Sequence, residues 1–152
     1  MKKALILAVV LLGVQTIHAQ IVVFAGQGPS RQKVGYYENE TIVAVDKQDQ
    51  ITFKGMMKAG KNGRLEICAS NGSPMGYLEL NDNPLGASTV YNNNGKKLGF
   101  VSFSDGLPVV HSFQNGMPVF IGSAEWASAQ NPSPNHSLAA ATAAFLLLFD
   151  WC

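Results

Sequence analysis

The chain has 152 residues, 47% hydrophobic and only 14% charged, with eleven basic and ten acidic side chains for a net charge of +1. One domain is expected at this length, and so sparse and balanced a charge argues against a basic face for nucleic acid or a long-range field that steers a charged substrate. Two cysteines, Cys68 and Cys152, do not make a disulfide-dense scaffold, so an apolar core must hold the fold.

Residues 1–19 read as a secretory signal. Lys2 and Lys3 form the positive start, Ala4–Val14 the apolar centre, and Gln15–Ala19 a short segment ending on a small residue. Cleavage is expected before Gln20. The apolar run is too short to span a bilayer comfortably.

Residues 20–127 are expected to form an all-β domain: a small antiparallel sandwich, barrel or trefoil-like fold rich in tight hairpin turns. Strand-like runs cover Ile21–Phe24, Lys33–Tyr37, Thr41–Asp46, Gln50–Lys54, Arg64–Ala69, Gly76–Leu80 and Ala87–Tyr91. Thr41-Ile-Val-Ala-Val and Ile51-Thr-Phe carry the β-branched and aromatic side chains that strands favour. Clusters of Gly, Asn, Asp, Ser and Pro separate the runs at the spacing of sandwiches and small barrels. Short connections make neighbouring strands antiparallel, because parallel pairs need long crossovers.

Tyr91–Gly122 is the clearest stretch. Asn94-Gly95, Asp105-Gly106 and Asn115-Gly116 punctuate short apolar runs, and such pairs suit type I′ turns, where both central residues take positive φ. Phe103–Val109 and Phe113–Val119 repeat the order aromatic, turn, apolar, Pro, Val. Pro108 and Pro118 fall at strand starts or on an exposed edge, where a missing N–H costs least. Alternation places Phe100 and Ser102 on one face and Val101 and Phe103 on the core face. By the same rule Leu65, Ile67 and Ala69 share a face opposite Glu66 and Cys68.

Residues 128–137 form a polar, proline-containing spacer, and residues 138–152 a hydrophobic tail. Leu138–Phe149 has one hydroxyl, Thr142, and no polar face, unlike a surface helix. The tail reads as a glycosylphosphatidylinositol attachment signal, removed after transfer of the chain to a lipid at Ser128. The competing reading is a buried C-terminal helix capped by Ser137. Pairing of Cys68 with Cys152 requires that the tail be retained. Sequons at Asn39 and Asn71 fall in expected turns and are candidate glycan sites; a third, at Asn135, would leave with the tail.

Chemistry-bearing residues are few. His111 is the only histidine outside the two terminal segments, so nucleophilic or acid–base catalysis would run through it, with Asp105 the nearest carboxylate in sequence. One His with one Cys falls short of a zinc site. Asn81-Asp82-Asn83 and Asp46/Asp49 lack a full calcium ligand set. Tyr36, Tyr37, Tyr77, Tyr91 and Trp126 are stacking candidates for sugars but suit a core better. No catalytic, metal or cofactor residue is assigned.

The functional expectation is a secreted, non-catalytic β-domain held by a lipid anchor at the cell surface or cell wall, acting in adhesion, coat structure or host contact. Its partner would be a surface ligand, carbohydrate or protein. The alternatives are a soluble secreted binding module or inhibitor with a packed helix, and a small hydrolase using His111 and Asp105.

Overall fold

The computed structural model describes residues 21–83, 85–127 and 135–149. Ten antiparallel strands follow one another around a closed barrel: β1 Ile21–Ala25, β2 Gln32–Glu38, β3 Thr41–Val45, β4 Ile51–Ala59, β5 Arg64–Ala69, β6 Pro74–Glu79, β7 Ser88–Asn92, β8 Lys97–Ser104, β9 Leu107–Gln114 and β10 Met117–Trp126. Each strand pairs with the next in sequence, and β1 closes the ring on β10 with Ile21 opposite Trp126. Of the three all-β forms expected, the barrel is the one formed. Closure removes every sheet edge, so neither proline marks one. Pro108 is fully buried opposite Phe103, and Pro118 pairs with Phe113.

The tight turns follow from local chemistry. Asp105-Gly106 and Asn115-Gly116 take positive φ at both positions, as a type I′ hairpin requires. Asn39 and Glu40 do the same at φ 49° and 61°. Asn94-Gly95 departs from that expectation, because only Gly95 is left-handed. There the Asn92 side-chain oxygen accepts from the backbone N–H of Asn94 and Lys96 and shapes a wider turn. Asp46 repeats the device, accepting from Gln48 and Gln50, with Asp49 left-handed.

The tail folds into the barrel. Helix α1, His136–Leu148, lies in the lumen with Ala139–Leu146 all buried. Its N-cap is Asn135, whose side chain accepts from the Leu138 N–H, rather than Ser137. The lumenal Thr142 hydroxyl donates to the Leu138 carbonyl at 2.8 Å, so no polar group of that side chain is left unpaired. The absence of a polar face now has its physical reason: sheet surrounds the helix on every side.

Lumen-facing strand residues are Ile21, Val23, Ile42, Ala44, Ile67, Leu78, Val90, Val101, Val110 and Ala124, all in the core with α1. Val101 takes the core face that alternation assigned to it, and on β5 it is the face of Ile67 that turns inward. Exposed Lys54, Lys58, Glu66, Arg64 and Glu79 point outward. That polarity is the reverse of outer-membrane barrels, which turn an apolar band outward and a polar lining inward.

In an up-and-down barrel successive connections alternate between two ends. The connections after β1, β3, β5, β7 and β9 share one end, and those after β2, β4, β6 and β8 share the other, where α1 enters. His136 there meets the rings of Phe103 and Trp126 edge-on, at 5.4 and 6.2 Å between centroids.

Candidate functional site

The lumen is the usual ligand cavity of a barrel this size, and here the chain fills it with its own side chains. Phe145, Leu146, Leu147, Leu148 and Phe149 each press against a different glycine: Gly55, Gly35, Gly122, Gly99 and Gly76. Those glycines lie one apiece on β4, β2, β10, β8 and β6. A Cβ at any of them would collide with the helix side chain and with a carbonyl oxygen of the neighbouring strand. The helix fits only because every second strand presents bare backbone at this level. In the sequence these glycines recur every 20–23 residues, in Gly35-Tyr-Tyr-Glu, Gly55-Met-Met-Lys, Gly76-Tyr-Leu-Glu, Gly99-Phe-Val-Ser and Gly122-Ser-Ala-Glu. That period, one glycine per hairpin, is the signal that reading the shorter Phe103–Val119 repeat missed.

Most of the residues singled out for chemistry lie on the exterior. His111 sits on the outer face of β9, paired with Phe100 of β8 and Phe120 of β10. Its ring stacks on Phe100 at 4.9 Å and 10°, and Phe120 meets it edge-on at 5.9 Å. Phe113 extends the row, 5.8 Å from Phe100, with the Lys97 ammonium 6.0 Å from its ring centroid. The His111 Nδ1 is buried without a hydrogen-bond partner. Rings hold this imidazole, and among the described residues no carboxylate orients it as in a catalytic triad. Asp105 lies in the turn at the far end of β9, beyond four residues of strand, or about 13 Å. Ser112 follows His111 directly and faces the other way. The structure does not bring the hydrolase candidates His111 and Asp105 together.

A second aromatic group lies on β6 and β7. Tyr77 and Tyr91 stack at 5.0 Å, and the Arg64 guanidinium lies 4.3 Å over Tyr77 while bonding Glu79 at 3.3 Å. Burial, then the charge of Glu79, raises the Tyr91 phenol above the ordinary tyrosine range. Two further cation–aromatic pairs lie on the exterior: Arg31 over Phe24, tied to Glu125 at 2.6 Å, and Lys33 over Tyr36, tied to Asp49 at 3.1 Å. Tyr37 and Trp126 instead pack on the core.

The remaining candidates serve the fold. Asp46 shapes its turn, and Asp49 pairs with Lys33 beside a shallow cavity of about 270 Å³ lined by Gln32, Lys33, Asp46, Lys47 and Asp49. Asn81 and Asn83 spend their side-chain oxygens on the N–H groups of Asn83 and Leu85. Among the described residues no group of three or more His, Cys, Asp or Glu side chains is placed to hold a metal ion. Cys68 is buried at 2% exposure; its proposed partner Cys152, the attachment residue Ser128 and the signal segment lie outside the described residues. Asn39 and Asn71 are both exposed, at opposite ends of the barrel, and the Asn71 side-chain oxygen accepts from the Ser73 N–H. Comparison with protein-family models, with curated proteins and with solved structures finds no match for this chain.

Proposed function

We propose that the chain is an exported, non-catalytic binding domain that retains its C-terminal helix and works through the outside of its barrel. The observation that carries this reading is the seating of Phe145–Phe149 on the five lumenal glycines. It leaves a ligand the exterior, which carries four cation–aromatic pairs. Export rests on the Lys2-Lys3 start and the apolar run behind it.

Retention of the helix separates this reading from the lipid-anchored one. Transfer to a glycolipid at Ser128 would discard α1 and open an apolar lumen to water. Phe145 and Leu146, 0% and 5% exposed, each contribute about 1.5–3 kcal/mol by burial. That is a large share of the roughly 5–15 kcal/mol that stabilises a domain. Adhesion or coat roles at a surface then come from binding, not from a covalent tether.

The test is the intact mass of the mature protein recovered from a secreting host. A mass running from Gln20 through Cys152 is expected. A chain ending near Ser128 and carrying a glycolipid would overturn the reading.

A further inference from the structure

We infer that the end of the barrel formed by the β7–β8 and β9–β10 turns seats on an anionic lipid surface. This names a partner for the outer-face binding domain proposed above and rests on that reading. The first observation is exposure. Met117 is 67% exposed and Phe113 36% exposed, flanking the Asn115-Gly116 turn, with exposed Pro118 beside them. Behind them the outer row of Phe100, His111 and Phe120 continues the apolar surface up the sheet. Large apolar side chains gathered on a projecting turn mark an interaction site rather than ordinary surface scatter.

The second observation is charge. Lys96 and Lys97 stand exposed at the same end, with Lys97 over the Phe113 ring. Arg31, Lys33 and Arg64 are each neutralised by a carboxylate, while among the described residues Lys47, Lys54, Lys58 and Lys61 are not, so what sets Lys96 and Lys97 apart is their place beside exposed apolar side chains. Among the described residues no carboxylate lies within ion-pair distance of Lys96 or Lys97. Unneutralised lysines beside an apolar tip match the two layers of an anionic bilayer surface: charged headgroups outside, acyl chains beneath.

The Tyr77–Tyr91 stack, the larger group of exterior rings bearing hydroxyls, lies apart from this tip and its cation is already paired with Glu79. The exposed amides of Asn94, Gln114 and Asn115 at the tip suit the polar headgroup layer of a bilayer, and the polysaccharide arm of the test below separates lipid from sugar. The contact is a seating of one end of the barrel and not a span.

Co-sedimentation of the helix-containing protein with vesicles tests the assignment. Binding is expected to phosphatidylcholine vesicles containing phosphatidylserine, weakening with added salt, and not to phosphatidylcholine alone. The double variant Lys96→Gln with Lys97→Gln should lower vesicle affinity about thirtyfold, and Met117→Asp about tenfold. Lys54→Gln, an exposed outer position elsewhere on the barrel, should leave affinity unchanged. All these positions are exposed, and matching thermal melts establish that the variants fold. Equal binding to neutral vesicles, or wild-type affinity in the double variant, overturns the proposal. Retention on an acidic polysaccharide without vesicle binding also overturns it, while leaving the binding-domain reading in place. Failure of that broader reading shows separately, as loss of the helix from the intact mass.

Discussion

The two faces of this one sheet are built by opposite rules. Inside, five glycines and a ring of Ile, Val, Leu and Ala accept a helix with no tolerance for added atoms. Outside, the alternate residues of the same strands include aromatic and charged side chains such as Tyr77, Phe100, His111, Lys54 and Glu66, partly or fully exposed. The inner face is close-packed, so its energetics are those of volume. The outer face meets water, where an ion pair such as Arg64–Glu79 is screened and contributes little. Stability is concentrated in the lumen.

Removing the helix should break this contrast most severely. A chain ending at Asn135 loses the buried side chains from Ala139 to Leu146 and is expected to lose its cooperative thermal transition altogether. A folded barrel without the helix would mean that the lumen closes by other means. One step smaller, Gly99→Ala places a methyl against the His111 carbonyl and the Leu148 side chain. Overpacking of this kind costs about 1–3 kcal/mol, measured as a shift in the urea midpoint without change of slope. The same substitution at Gly106, an exterior turn glycine with open space around it, fails for a different reason, its φ of 77°.

The exterior should respond least. Arg64→Ala is expected to change stability by less than about 1 kcal/mol. It should also raise the Tyr91 phenol further, because the cation lowers it while burial and Glu79 raise it. Absorbance titration of tyrosine reads this shift. The sign for stability follows from linkage: a phenol with a raised folded value favours the native state below the ordinary tyrosine range. That support is lost as pH rises through the folded value. A large loss of stability in Arg64→Ala at neutral pH would show that the outer face carries more of the fold than its exposure implies.

Much of the strand pattern was legible before the fold. Turn pairs such as Asp105-Gly106 and Asn115-Gly116 state their backbone geometry locally, because few residues tolerate positive φ. Alternation along Gly99–Phe103 identified Val101 as inward because a strand has only two faces. The outer aromatic site was less legible. His111 was singled out as a lone histidine, but its setting between Phe100 and Phe120 depends on register across three strands. Met117 and Phe113 look like core residues by composition, and only the position of the turn at the barrel's end exposes them. The glycine period escaped notice because a glycine inside a strand run reads as a weakness until its neighbour is known.

By itself the chain determined that it would be an antiparallel, hairpin-rich β-fold followed by an apolar tail, since turn chemistry and side-chain period act over a few residues. Tertiary structure decided that the sheet closes into a ring and that the last helix is its core. Hydrophobicity records that Phe145–Phe149 must leave water, but not what they leave it for. That choice was made by five glycines on five separate strands, brought to one level only when the barrel closed.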